Sequence, residues 1–216
     1  VIIVSGGNIQ RDFALDFLQK NKKENVCLIA ADKGVEFFIK TDWGPDVAVG
    51  DFDSLSAAGE KYLDSLKETE IVRLKPEKDD SDTQSAANFA IDRGAKNITI
   101  FGATGNRIDH LLANFGLLVL GRERGTDIIL IDQWNYMKLV ESGTVLKKKE
   151  QFGKYVSFFS LEGDMPGLTL VGFKYPLDHY HLRVSDSGLT VSNEIEAEEA
   201  VVSFDGKYLL MLMTRD

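Results

Sequence analysis

The chain has one cysteine, four prolines and three histidines among 216 residues, and each scarcity excludes something. A lone Cys27 rules out an intramolecular disulfide, and its place in the apolar stretch Val26 to Ala31 reads as a small buried strand residue rather than a nucleophile. Three scattered histidines give no zinc spacing. No apolar run reaches roughly 18 residues and no basic leader precedes a hydrophobic core, so neither a membrane span nor a secretory signal is expected, and the cytoplasm is the default compartment. Basic charge is also short. A net charge of −9 argues against a nucleic-acid surface, which needs a basic stripe to neutralise phosphates. The run Lys147-Lys148-Lys149, followed at once by Glu150, reads as a solvated turn or strand end. An acidic protein still accommodates a polyphosphate when metal ions neutralise both sides, and its field favours a cationic co-substrate.

What is present describes an ordinary folded globule: 44% apolar and 27% charged residues. A chain of this length buries about 70% of its unfolded surface, enough for one large domain or two modest ones. Up to about Ile131, short β-branched runs alternate with amphipathic stretches. Val1 to Val4, Val26 to Ala31, Val47 to Val49, Ile71 to Leu74, Ile98 to Phe101 and Ile128 to Ile131 read as buried strands. Arg11 to Asn21, Ser56 to Leu66, Asp82 to Arg93 and Asp109 to Gly121 read as helices between them. Such alternation implies right-handed crossovers and a mostly parallel sheet. After Trp134 the helical period vanishes. Tyr155 to Ser160, Leu168 to Val171, Leu189 to Ser192, Ala200 to Phe204 and Tyr208 to Met213 alternate as strands, and Asp205-Gly206 is a hairpin signal. The fold class expected is α/β: a mostly parallel α/β/α sandwich over residues 1–133, then an antiparallel β-sandwich over residues 134–216.

Ligands bind at the carboxyl ends of strands in open α/β sheets, and the polar motifs collect there. Asp32 follows one strand run, Asp51 and Asp53 the next, Asp79 and Asp82 another, and Gly102 to Asp109 another. Two like charges ~4 Å apart repel by about 4 kcal/mol at the effective dielectric of a protein surface, so clustered carboxylates call for a cation. In GDFDSL an extended backbone turns Asp51 and Asp53 to one side and Phe52 to the core, which suits oxygen-coordinated hard cations. Taken alone, the motif fits equally a turn in which Asp53 or Ser54 caps the helix beginning near Ser56. In EKDDSDTQ, Ser81 and Gln84 fit a capping box, which places Asp82 in the positive field of a helix start. Lys78 and Asp79 sit just before the cap and face the same crevice, while Asp80 reads as a solvated loop residue. In FGATGNRIDHLLAN, Gly102 and Gly105 allow backbone approach to a ligand and Arg107 offers a bidentate phosphate donor beside Asp109. His110 and Asn114, one helical turn apart, either line the site or are solvated. No Walker A loop occurs. Ser5-Gly6-Gly7-Asn8 is not a dinucleotide fingerprint, yet it follows a strand and is placed to cradle part of a nucleotide.

Taken in order, AADKG at Ala30 to Gly34, GDFDS, KDDSDTQ, GATGNRIDH and Ser192-Asn193-Glu194 resemble the thiamine pyrophosphokinase family along nearly the whole chain. The resemblance implies an N-terminal α/β domain, a C-terminal β-sandwich and a homodimer with thiamine near the subunit interface. It implies that Asp51, Asp53, Asp79 and Asp82 form the Mg²⁺ and pyrophosphate site, with Asp32 nearby. Binding residues implied for ATP and thiamine are Lys33, Lys78, Ser81, Gln84, Gly102, Thr104, Gly105, Arg107, Asp109 and His110, with Ser192 and Asn193 on the thiamine side. The reaction implied is attack of thiamine's primary hydroxyl on the β-phosphorus of ATP, with AMP leaving. Asp53 or Asp82 orients or deprotonates that hydroxyl.

Three other readings use the same motifs. A nucleotide-sugar transferase shares the paired aspartates. A phosphatase would use Asp51 as nucleophile, but that motif belongs on the first strand and here follows the third. A non-catalytic nucleotide or thiamine sensor would keep the site without the chemistry.

Overall fold

Residues 1–21, 26–75, 79–186 and 188–216 are described in a computed structural model. The chain divides into two units, Val1–Gln133 and Trp134–Asp216. In the first, among the described residues, the apolar runs form β1 (Ile2–Val4), β2 (Leu28–Ala31), β3 (Val47–Gly50), β4 (Glu70–Arg73), β5 (Asn97–Phe101) and β6 (Asp127–Ile131). Every residue of β1, β2 and β3 is buried, as expected for strands covered on both faces. Each buried aliphatic side chain there contributes about 1.5–3 kcal/mol. The connecting helices are α1 (Arg11–Lys20), α2 (Ala57–Ser65), α3 (Asp82–Asp92) and α4 (Ile108–Glu123). All pairings are parallel, in the order β4-β3-β2-β1-β5-β6. The chain therefore winds outward from β1 to β4, then returns to the other side of β1. That reversal opens a crevice at the carboxyl ends of β1 and β5.

Local chemistry sets the helix limits. The Ser56 hydroxyl accepts from Gly59 N–H, and the Ser81 hydroxyl from Gln84 N–H, each at 3.2 Å, which satisfies an otherwise orphaned amide. At the other end, α3 and α4 stop in the same way. Gly94 and Gly125 take φ of +86° and +71°, and the bonds Ala95 N–H to Ala90 O and Thr126 N–H to Gly121 O close Schellman motifs. Between β2 and β3 the segment Asp32–Phe38 forms 3-10 turns that no periodicity announces.

The second unit contains β7 (Asn135–Val140), β8 (Thr144–Lys147), β9 (Tyr155–Ser160), β10 (Met165–Val171), β11 (Leu177–Leu182), β12 (Glu199–Ser203) and β13 (Leu209–Thr214). Strands β7, β13 and β9 pair antiparallel, as do β11, β10, β12 and β8 in a second sheet. Val156 and Phe158 of the first sheet share one core with Leu168, Leu170 and Val202 of the second. The sequence does not single out β7, β8 and β11.

Two expectations need correcting here. Leu189 to Ser192 is not a strand but a run of turns and bends. Its alternation is inverted: Leu189 and Val191 are exposed, whereas Thr190 and Asn193 are buried, held by bonds such as Thr190 hydroxyl to Phe158 O at 2.5 Å. Nor does Asp205-Gly206 close a hairpin. It passes from β12 to β13, which pair in different sheets, and neither residue takes the positive φ that a tight two-residue turn requires.

Gly34 marks the closest approach in the first unit, because a Cβ there would lie 1.9 Å from the carbonyl oxygen of Val4. Gly34→Ala is expected to destabilise the protein by about 1–3 kcal/mol, read as a lowered urea midpoint. An unchanged midpoint would show that the β1 end is free to yield.

Candidate functional site

Two left-handed residues bring carboxylates together at the ends of β2 and β3. Asp32 has φ +47° and Phe52 has φ +63°, a region that costs a non-glycine residue about 1–3 kcal/mol. Burial of the Phe52 side chain, only 7% exposed, offsets part of this, and the Arg73 guanidinium lies 5.5 Å from its ring centre. The segment is thus a turn rather than an extended strand. Asp51 Oδ1 accepts from Asp53 N–H at 3.3 Å across that turn. Gly50 leaves room beneath Asp32, where a Cβ would meet Asp32 Cα at 3.0 Å.

Carboxylate oxygens of Asp32, Asp51 and Asp53 lie within 4.8 Å of one another. Asp32 Oδ2 accepts from the Ser54 hydroxyl at 2.5 Å, while its Oδ1 is buried with no hydrogen-bond partner. A buried, orphaned carboxylate oxygen is costly. An all-oxygen set with one such atom fits a hard divalent cation such as Mg²⁺. The charge of Asp51 chiefly pushes the Asp53 carboxyl above the usual range, followed by desolvation, the charge of Asp32, the hydrogen bond with Asp51 and the charge of Asp82. Asp82, the first residue of α3, is therefore electrostatically part of this edge. Asp79 is exposed and outside the cluster. Lys78 lies outside the described residues. Asp80 is engaged, contrary to the reading from sequence: its carboxylate accepts from Gln84 Nε2 at 2.7 Å and Asn88 Nδ2 at 3.1 Å. Ser81 is the cap, and Gln84 spends its amide on Asp80.

Beside the cluster, the loops after β1 and β5 meet backbone to backbone. Gly7 N–H donates to Gly102 O at 3.1 Å, and a Cβ on Gly7 would lie 2.2 Å from that oxygen and 3.3 Å from Gly105 Cα. Asn8 Nδ2 donates to Asn106 Oδ1 at 2.8 Å across the same gap. Below, the buried hydroxyls of Ser5 and Thr83 are 2.5 Å apart, tying the end of β1 to the first turn of α3. Thr104 donates to Asp132 Oδ2 at 2.6 Å. Arg107 pairs in a fork with Asp109, at 3.1 and 2.6 Å, so a phosphate would have to compete for it. That fork raises Arg107 and lowers Asp109 from their ordinary values. His110 and Lys33 are exposed. Asn114 is buried and donates to Ala103 O at 2.8 Å, so it holds the loop rather than facing solvent.

In the second unit Ser192 is exposed with φ +56°, and its N–H donates to the Ser157 hydroxyl at 3.0 Å. Asn193 is 1% exposed. Its side chain donates to Tyr175 O and accepts from the Tyr175 and Glu194 amides, so its amide group is used within the fold. Glu194 pairs with Lys174 at 2.9 Å, which with nearby Lys154 and Lys148 lowers its carboxyl from the ordinary value.

Sequence reasoning missed Asp132, Ser54 and Thr83. Asp132 had a readable signal: IILID repeats the pattern of LIAAD and VAVGD, an apolar run ending in aspartate. Ser54 and Thr83 lie inside GDFDS and KDDSDTQ, but no pattern there tells that their hydroxyls meet Asp32 and Ser5.

Parallel strands that end in glycine loops and gathered carboxylates define an α/β protein with a ligand crevice at its strand ends, the arrangement found in nucleotide-using proteins. The model of the thiamin pyrophosphokinase catalytic domain matches residues 18–130, and that of the vitamin B1 binding domain matches residues 143–209. A thiamine pyrophosphokinase of Bacillus subtilis is 33% identical over 193 residues, 89% of each chain. The crystal structure of the Bacillus subtilis enzyme matches with a TM-score of 0.87 at 31% identity, covering 100% of this chain and 98% of that one. The Geobacillus thermodenitrificans enzyme gives 0.84 at 30%, covering 100% and 97%. Yeast thiamin pyrophosphokinase, 13% identical with a TM-score of 0.81 and coverage of 99% and 85%, shows the fold alone. The chain belongs to the thiamine pyrophosphokinase family.

The raised Asp53 carboxyl gives a signed prediction. With its folded pKa above the unfolded value of about 3.9, folding disfavours the ionised form. The penalty is absent below the unfolded pKa and complete above the folded one. Asp53→Asn is therefore expected to raise the melting temperature of the metal-free protein at about pH 7 and leave it unchanged near pH 3. Equal shifts at both pH values in EDTA would rule out a charge origin.

Proposed function

We propose that this chain transfers the pyrophosphoryl group of ATP to the primary hydroxyl of thiamine, giving thiamine diphosphate and AMP. The observation that carries this reading is the Asp32, Asp51 and Asp53 cluster with its orphaned buried oxygen, in a chain whose two units match the catalytic and vitamin B1 binding models. Those three aspartates would hold Mg²⁺, which when bound neutralises charge on the transferring phosphates. The glycine loops after β1 and β5 let backbone N–H groups approach the polyphosphate. Asp82, outside the three-carboxylate group and the first residue of α3, orients the attacking hydroxyl and takes its proton. The hydroxyl oxygen bonds to the β-phosphorus as the bond to the α–β bridging oxygen breaks, and AMP departs with that oxygen. Catalysis then rests on positioning and charge compensation rather than on a covalent protein intermediate.

The second unit supplies the acceptor side, with Ser192 presented by a turn that Asn193 anchors. The likeness to the vitamin B1 binding domain supports this. Exposed apolar residues Val184, Leu189 and Val191 support a homodimer. No helix among the described residues is long and apolar enough to cross a membrane, which agrees with a cytoplasmic enzyme.

Purified protein with ATP, thiamine and Mg²⁺ is expected to release AMP in step with thiamine diphosphate. Excess EDTA abolishes the reaction, and Asp51→Asn lowers turnover about a hundredfold or more. Thiamine-independent AMP release, or an undiminished Asp51→Asn, would overturn the assignment. Light scattering is expected to give about twice the chain mass, and a monomer would remove the dimer.

A further inference from the structure

On the far side of β1 from the acidic cluster sits a hydroxyl whose proton is already committed. Thr104, in the loop after β5, donates to Asp132 Oδ2 at 2.6 Å, and both residues are half-buried. A hydroxyl carries one proton. Thr104 Oγ1 is therefore left with acceptor capacity alone. An ionised phosphate brings no proton to such an atom, and a carboxylate beside it would repel phosphate. The complement of this pair is a ligand group that donates, which sets Thr104 apart from the phosphate cradle in which its glycine neighbours place it.

Strand order shows which part of a nucleotide arrives there. Asp32 follows β2 and Asp51 follows β3, whereas Thr104 follows β5 and Asp132 follows β6, with β1 between the two groups. Neighbouring strands are ~4.8 Å apart, so β5 lies ~10 Å from β2, and β6 ~19 Å from β3. A triphosphate chain extends over a comparable distance. A nucleotide with its terminal phosphates at the aspartates, laid along the crevice past Gly7 and Gly102, brings its ribose to the β5 edge. The ribose hydroxyls are the donors nearest the phosphates.

We infer that Thr104, with its proton held by Asp132, accepts a hydrogen bond from a ribose hydroxyl of the nucleotide and so discriminates against a nucleotide that lacks it. Asp132 acts through Thr104 as a positioning residue. The inference rests on the pyrophosphokinase reading for the identity of the nucleotide, but its test does not need turnover.

Calorimetric titration of the wild-type protein, with Mg²⁺, against ATP, 2′-deoxy-ATP and 3′-deoxy-ATP is expected to show ATP binding about three- to tenfold tighter than at least one analogue, the loss expected for one hydrogen bond. Thr104→Val erases that difference by weakening ATP and any analogue that keeps the contacting hydroxyl, Thr104→Ser retains it, and Asp132→Ala reduces it without abolishing binding of the analogue that lacks that hydroxyl. Equal wild-type affinity for all three nucleotides would overturn the inference. So would a Thr104→Val that weakens all three alike, or one that weakens only thiamine in the same titration, which would assign the donor to the acceptor's amine. An inactive protein that still discriminates would refute the pyrophosphokinase reading and keep this one, whereas an active protein without discrimination would do the reverse.

Discussion

Repulsion among three carboxylates at the ends of two neighbouring strands is the constraint around which the first unit is arranged. Asp32, Asp51 and Asp53 bring oxygens within 4.8 Å, a separation at which like charges repel. The scaffold enforces this through backbone conformations that resist relaxation. Asp32 and Phe52 sit at positive φ, Gly50 admits the Asp32 backbone, and Phe52 is fastened in the core. The raised Asp53 carboxyl is the signature of charge held together against its preference. A site built this way is prepared for a cation before the cation arrives, and part of the folding free energy is spent on that preparation.

Much of the remaining detail fixes where this edge meets the crevice. Ser5 and Thr83 join β1 to α3 through a buried hydroxyl pair, and Asp80 clamps Gln84 and Asn88. Together they set the start of α3, and hence Asp82, relative to the cluster. On the other side Asn114 holds Ala103 and Asp132 holds Thr104, which fixes the loop after β5. Residues that read as ligands from sequence thus divide into groups that are presented and groups that hold others in place. In the second unit the same division separates Ser192, presented on a turn, from Asn193, whose amide is bound within the fold.

Legibility in the sequence followed the reach of the interaction. The parallel sheet and its four helices were readable because hydrophobic period is local, and the start of α3 at Ser81 because capping spans three residues; the cap of α2 is Ser56 rather than Asp53 or Ser54, which are held in the carboxylate turn before it. The segment Leu189 to Ser192 misled because alternation reports a strand only when the apolar set is the buried set, and there Thr190 and Asn193 are inside. Asp205-Gly206 misled because a turn-favouring pair does not say whether the strands on either side belong to one sheet. Asp32 was readable as a site residue but not as a member of the cluster, since its carboxylate meets Asp51 and Asp53 only after β2 pairs with β3.

By itself the sequence determined the strand and helix alternation, the acidic motifs at strand ends and the family likeness, because each is written in residues close together along the chain. Tertiary structure decided which aspartates share a site and which hydroxyls and amides are already spent. Those outcomes depend on strand order, left-handed turns and glycine contacts that join residues far apart in sequence, and no local pattern encodes the distance between two carboxylates on neighbouring strands.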